Sequence, residues 1–173
     1  MLNLPGYRIT TQIYESTHSL VYRARRVADD RAVVIKLLKA AYPTPQELVR
    51  YRQEYTVTSS LPIEGVIRAY NLEPYQNTFA IIFEDFGADS LTLLRQAGRL
   101  SSSADPLAAF LKLAIRIVEI LGQVHQAHII HKDINPSNIV LNPATGQVKL
   151  IDFGLSTRLP RENPVMTHPS VLE

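Results

Sequence analysis

His131-Lys132-Asp133-Ile134-Asn135-Pro136-Ser137-Asn138 is a polar, turn-rich run between apolar segments, and Asp152-Phe153-Gly154 follows it downstream. Between the two lie short β segments, Asn138 to Leu141 and Gln147 to Ile151, joined by the Ala144-Thr145-Gly146 turn. Upstream, Asp105-Pro106 is a cap-plus-proline helix start. Leu107, Phe110, Leu111, Ala114, Val118 and Leu121 then have helical spacing and predict a long core-facing helix. A shorter helix covers about Leu91 to Ala97.

The first part of the chain reads as β. Tyr7 to Tyr14, Ser19 to Arg25 and Ala32 to Leu38 are rich in β-branched and aromatic residues, with Ala28-Asp29-Asp30-Arg31 as the turn before the third. In that third strand Ala32, Val34 and Lys36 share one face, and Val33, Ile35 and Leu37 the other. Thr44-Pro45-Gln46-Glu47 combines a capping residue, a proline at the first helical position and a capping-box glutamate. The helix it starts runs to about Leu61, with Leu48, Tyr51, Tyr55 and Thr58 as its inner stripe. Strands follow near Val66 to Leu72 and Thr78 to Phe86, with a turn at Tyr75-Gln76-Asn77. The order predicts an α+β fold in two unequal lobes, five strands with one inserted helix and then a helical part with a small β pair.

Composition narrows the function classes. The chain has 173 residues, 46% hydrophobic and 20% charged, which suits one globular domain. Lys plus Arg number 18 against 16 acidic residues, a net charge of +2, so no basic surface argues for nucleic acid. Zero cysteines exclude disulfides, thiolate metal sites and cysteine nucleophiles, and fit a reducing cytoplasm. The most apolar stretch, Leu107 to Val124, is interrupted by Lys112, Arg116 and Glu119, so no membrane insertion is expected. The N-terminal MLNLPGYRITTQ lacks the pattern of a secretory signal.

The His131–Asn138 run with Asp152-Phe153-Gly154 resembles a eukaryotic-type Ser/Thr protein kinase domain, and the resemblance extends over nearly the whole chain. It implies a kinase-like fold, with the small lobe and the start of the hinge in residues 1–86 and a partial large lobe in residues 87–173. It implies ATP and Mg²⁺ as cofactors and a protein substrate. Asp133 would then act on the acceptor hydroxyl, while Asn138 and Asp152 would hold Mg²⁺ as hard oxygen donors. Lys36, in Val33-Val34-Ile35-Lys36, would meet the α and β phosphates and pair with Glu54, which lies between Tyr51 and Thr58 on the inner side of the capped helix. Taken alone, Lys36 could be a solvent-facing strand lysine and Glu54 an exposed helix charge. Backbone groups from Glu84 to Phe86 would meet adenine, Phe83 would be the gatekeeper, and Val21, Val34 and Val140 would sandwich the ring.

The sequence departs from the family in three places. The phosphate loop, Tyr14-Glu15-Ser16-Thr17-His18-Ser19-Leu20-Val21, has no glycine, so Ser16 and Ser19 are candidates to donate hydroxyl hydrogen bonds in place of close backbone contacts. Asn135 stands where Ser/Thr kinases carry a lysine, and Lys132 replaces an arginine. The sequence given closes at Glu173, inside what would be the activation segment, and a fragment with one exposed apolar flank on the long helix is therefore expected. The His131–Asn138 run and Arg161-Glu162-Asn163-Pro164 are most similar to N-terminal kinase domains of large bacterial signalling proteins, which implies downstream ATPase and histidine-kinase modules. Two other functions compete: a pseudokinase-like nucleotide-binding or interaction module, and a small-molecule phosphotransferase of kinase-like fold. Asp-Phe-Gly at 152–154, rather than an Asp-x-Asp pair, argues against the second.

Overall fold

Strand alternation buries one row of each early strand, and that row builds the first lobe. The structure, a computed structural model, describes residues 3–100 and 105–159. The 161–164 stretch and the end of the expected activation segment lie outside the described residues. Strands β1 (Tyr7–Glu15), β2 (Ser19–Arg26) and β3 (Ala32–Leu38) form an antiparallel meander. Val33, Ile35 and Leu37 are buried while Ala32, Val34 and Lys36 are half-buried on the opposite face, as the alternation predicts. Helix α1 (Pro45–Ser59) opens on the expected capping box, Thr44 accepting from the Glu47 N–H and Glu47 accepting from the Thr44 N–H. It buries Tyr51, Glu54, Val57 and Thr58.

Strands β4 (Ala69–Tyr75) and β5 (Thr78–Glu84) complete a five-stranded sheet in the order β1-β2-β3-β5-β4. β4 starts at Ala69, three residues after the predicted Val66. Val66 instead makes a parallel bridge to Leu150, because the chain here crosses to the second lobe: Leu150 N–H donates to Gly65 and Ile67 N–H donates to Leu150. Gly65 is required at that crossing, since a Cβ there would lie 2.2 Å from Ile120 Cγ1.

The second lobe consists of β6 (Asp89–Ser90), α2 (Leu91–Gln96), α3 (Pro106–Gln126), β7 (Ile129–Ile130), β8 (Ile139–Leu141), β9 (Val148–Leu150) and β10 (Thr157–Arg158). β6, β8 and β9 form one small sheet, and β10 pairs with β7. The core here gathers Val57, Leu61, Leu94, Ile120, Val124, Ile129, Leu150 and Phe153.

The inner face of α3 differs from the predicted one. Leu107, Phe110, Leu111 and Val118 are 49–67% exposed; of the predicted stripe Leu121 does pack against the core, which otherwise receives Ile120 and Val124 with Leu113 and Ile117 against it. The helix is apolar on more than one side, so periodicity alone fits two stripes, and packing against β7 and β9 selects one. The exposed apolar flank expected for this helix is the other stripe, to which Ile115 also belongs. Among the described residues no helix is long and apolar enough to cross a membrane.

Candidate active site in the cleft between the lobes

One cleft of about 440 Å³ lies between the five-stranded sheet and the small sheet. Its lining includes Val21, Val34, Lys36, Glu54, Glu84, Phe86, Asp133, Asn138, Val140 and Asp152, all singled out from the sequence, whereas Lys132 lies outside it. The apolar residues supply its body, since Val21 and Val34 descend from neighbouring strands and Val140 rises from β8.

The strongest charges meet at its inner end. Lys36 Nζ lies 2.7 and 2.8 Å from the two Glu54 oxygens and 3.0 Å from Asp152 Oδ2. Glu54 is 3% exposed, so the carboxylate needs this partner. Burial lifts its carboxyl to about 7; the Lys36 ammonium pulls against that lift, and Asp152 adds to it. Burial lowers the Lys36 pKa, but Glu54 and Asp152 outweigh it and hold the ammonium above its ordinary range. Asp152 is held below the usual carboxylate range because Lys36 overcomes its own desolvation. The cluster therefore carries one firmly protonated cation between an ionised Asp152 and a Glu54 carboxyl that burial has lifted to about 7.

Backbone geometry aims these groups. Lys132 and Asp152 have φ of 68° and 65°, left-handed values that non-glycine residues rarely adopt. His131 is buried between them: its Nε2 lies 3.0 Å from the Ile151 carbonyl and its Nδ1 accepts from the Asp133 N–H. That pair of bonds assigns the proton to Nε2. Burial keeps the imidazole pKa low, and Phe153 packs on the ring at 4.5 Å between centroids. One neutral histidine thus ties the Asp133 loop to the strand leading into Asp152.

Asp133 is held by two amides. Asn135 Nδ2 donates to Oδ1 at 3.1 Å and Asn138 Nδ2 to Oδ2 at 2.8 Å. With its nitrogen so engaged, Asn138 has its Oδ1 left to meet a cation. Asp152 and Asn138 are hard oxygen donors of the kind Mg²⁺ takes, and both line the same cleft. Among the described residues no group of three or more His, Cys, Asp or Glu side chains forms a metal cage. The donor set fits a cation that completes its shell with phosphate oxygens and water.

The glycine-free loop closes on a side chain. Ser16 Oγ accepts from the N–H groups of His18 at 3.2 Å and Ser19 at 2.9 Å, and it pairs with Ser19 Oγ at 3.1 Å. This serine hydroxyl builds the tight turn that glycines would otherwise permit. It engages two backbone N–H groups of the loop, and Ser16 and Ser19 face each other as well as the cleft.

At the opposite end, the Glu84 N–H donates to Arg68 and the Phe86 carbonyl accepts from Asn142 at 2.5 Å. Among the described residues neither the Asp85 nor the Phe86 N–H has such a partner. The Glu84 carboxylate pairs with buried Lys149, and Arg23 from β2 donates to the Ala88 carbonyl at 2.6 Å and to Asp89 at 3.0 Å. Sequence reasoning missed Lys149, Arg23, Asn142 and Gln53, all of which support the site from outside it. A lysine inside the apolar run Val148-Lys149-Leu150-Ile151 was the one available signal.

The sequence profile of the family described as "Protein kinase domain" matches residues 7–171. The serine/threonine-protein kinase PrkC of Bacillus subtilis is 30% identical over 163 residues, which cover 94% of this chain and 24% of that protein. PknA of Corynebacterium glutamicum, also a serine/threonine-protein kinase, is 31% identical over 161 residues, covering 87% of this chain and 32% of the relative. The mitogen-activated protein kinase spm1 of Schizosaccharomyces pombe is 26% identical over 175 residues. The chain spans about a quarter to a third of the length of the two bacterial relatives.

Proposed function

The chain belongs to the protein kinase domain family, and from that premise we propose that it binds MgATP in the cleft and phosphorylates Ser or Thr hydroxyls of a protein substrate. The observation that carries this reading is the meeting of Lys36, Glu54 and Asp152 at one end of the cleft that Asp133 and Asn138 also line. Phosphoryl transfer needs positioning and charge neutralisation more than covalent help. Lys36, oriented by Glu54, would meet the α and β phosphates. Asn138 and Asp152 would hold Mg²⁺, which when bound offsets the charge of the phosphate oxygens. Asp133 would orient the acceptor hydroxyl and take its proton as the new O–P bond forms and the bond to ADP breaks. Val21, Val34 and Val140 would enclose the adenine, beside the backbone of Glu84 to Phe86.

In this reading residues 1–86 form the small lobe and hinge start, and residues 87–173 belong to the large lobe. The His131–Asn138 run supports a place in a longer signalling protein with ATPase and histidine-kinase modules. The absence of cysteine and the need for ATP support a cytoplasmic site of action. A second reading, a catalytically weak or inactive nucleotide-binding or interaction module, is favoured by Ser16 engaging two loop N–H groups, which leaves fewer donors for phosphate. Calorimetric titration with ATP, with and without Mg²⁺, together with transfer of labelled γ-phosphate to a generic protein substrate, separates the two. Mg²⁺-dependent binding with transfer supports the kinase, binding without transfer supports the second reading, and no response at millimolar MgATP overturns the kinase and leaves only the interaction module.

A further inference from the structure

Tyr51 lies one turn before Glu54 on the sheet-facing side of α1 and is buried. Its ring packs with Ile67, Ile81 and Phe83, a cluster that a phenylalanine would fill equally well. The hydroxyl is therefore not needed for packing, and burying it costs stability unless it is bonded. It donates to the backbone carbonyl of Lys36. Burial pushes the phenol pKa well above its ordinary value, with Glu54 adding to the effect, so the hydroxyl stays protonated and remains a donor.

Helix α1 thus grips one residue of β3 twice, at its ammonium through Glu54 and at its backbone through Tyr51. The two grips differ in stiffness. A lysine side chain has four rotatable bonds, so Lys36 Nζ can follow Glu54 over a range of helix positions. It is also shared with Asp152 at 3.0 Å and could remain there if α1 moved outward. A bond to the strand backbone has no such slack. Building on the reading of Lys36 as the phosphate-binding lysine, we propose that Tyr51 is a positioning residue whose hydroxyl fixes α1 against β3, so that Lys36 and Glu54 are already assembled when nucleotide arrives.

The test is Tyr51→Phe in the full chain, with MgATP affinity measured by calorimetry alongside the melting temperature, and both repeated in a Lys36→Met background. The substitution should weaken MgATP binding about 2- to 12-fold, the worth of one net hydrogen bond. In the Lys36→Met background it should produce no further loss, because both changes act through the same ammonium. A lowered melting temperature with unchanged MgATP affinity would make Tyr51 merely structural and overturn the proposal, as would equal losses in both backgrounds. If Lys36→Met itself leaves MgATP affinity untouched while the protein stays folded, the underlying reading of the cleft fails instead.

Discussion

Gln53 donates its side-chain amide to the carbonyl of Ser156 at 2.9 Å, across 103 residues of sequence. Its neighbour Glu54 reaches Lys36 on β3, so two adjacent residues of α1 hold the strand and the segment after Asp152 together. Ser156 is itself buried, with its hydroxyl donating to the Phe153 carbonyl at 2.6 Å. Gln53 thereby links helix α1 directly to the chain beyond Asp152.

Gln53→Ala removes that link without disturbing the core, because the side chain lies at the surface end of the contact. It should cost about 1 kcal/mol of stability. Hydrogen exchange should quicken at Ser156 to Arg158 and stay unchanged in β2 and β3. Uniform acceleration across both lobes would mean that the link does not act locally.

Asp133 and Asp152 are carboxylates with different surroundings, one held by two amides and the other by the Lys36 ammonium. Asp133→Asn should leave MgATP affinity nearly unchanged and cut turnover ~10²- to 10⁴-fold, the usual contribution of a placed proton acceptor. Asp152→Ala should remove the Mg²⁺-dependent part of nucleotide affinity. Normal turnover by Asp133→Asn would refute the assignment of the proton acceptor.

The Ser16 turn gives a prediction in the opposite direction. Ser16→Gly deletes the acceptor for the His18 and Ser19 N–H groups and permits the backbone freedom found in glycine-rich loops. Amide exchange at those two positions should quicken, and MgATP should bind roughly 2- to 10-fold more tightly, on the scale of one hydrogen bond. Unchanged affinity would show that these amides do not reach the phosphates.

Glu54 makes stability and binding respond to pH with opposite signs. Its folded pKa, about 7, lies above the ordinary value of 4.5. The stability it contributes is fully present below that ordinary value and is lost as pH rises through about 7. His131, whose pKa is lowered by burial, works the other way: its contribution is present above its ordinary 6.5 and is lost as pH falls. Lys36 titrates far above this window. The difference between the parent and Glu54→Gln therefore isolates the Glu54 part, and thermal melts from pH 4.5 to 8 should show the variant gaining relative stability as pH rises. MgATP affinity of the parent should increase over the same range, as Glu54 ionises and holds Lys36 in place. An identical pH dependence in both proteins would contradict the lifted carboxyl.

Much of the fold follows rules that operate within a few residues. The alternation in β3, the capping box at Thr44 and Glu47, and the Asp133, Asn138 and Asp152 positions are all legible in the chain. β6, β7 and β10 are two-residue strands that exist only because another segment pairs with them, and nothing local marks them. The inner face of α3 is not legible for a related reason: an apolar helix offers several stripes, and the neighbour that covers one of them comes from elsewhere in the chain.

By itself, the sequence determined the order of the longer elements, their caps and alternating faces, and the residue types able to handle phosphate and a hard cation. Those depend on hydrogen bonds and steric preferences between near neighbours. The tertiary structure alone decided that Ser16 would close the loop, that Glu84 would find Lys149 across 65 residues, and that Tyr51 would bond to the Lys36 backbone. Each is a polar group drawn partly or wholly out of water, and its partner is whichever complementary atom the packing of the two lobes brings within reach.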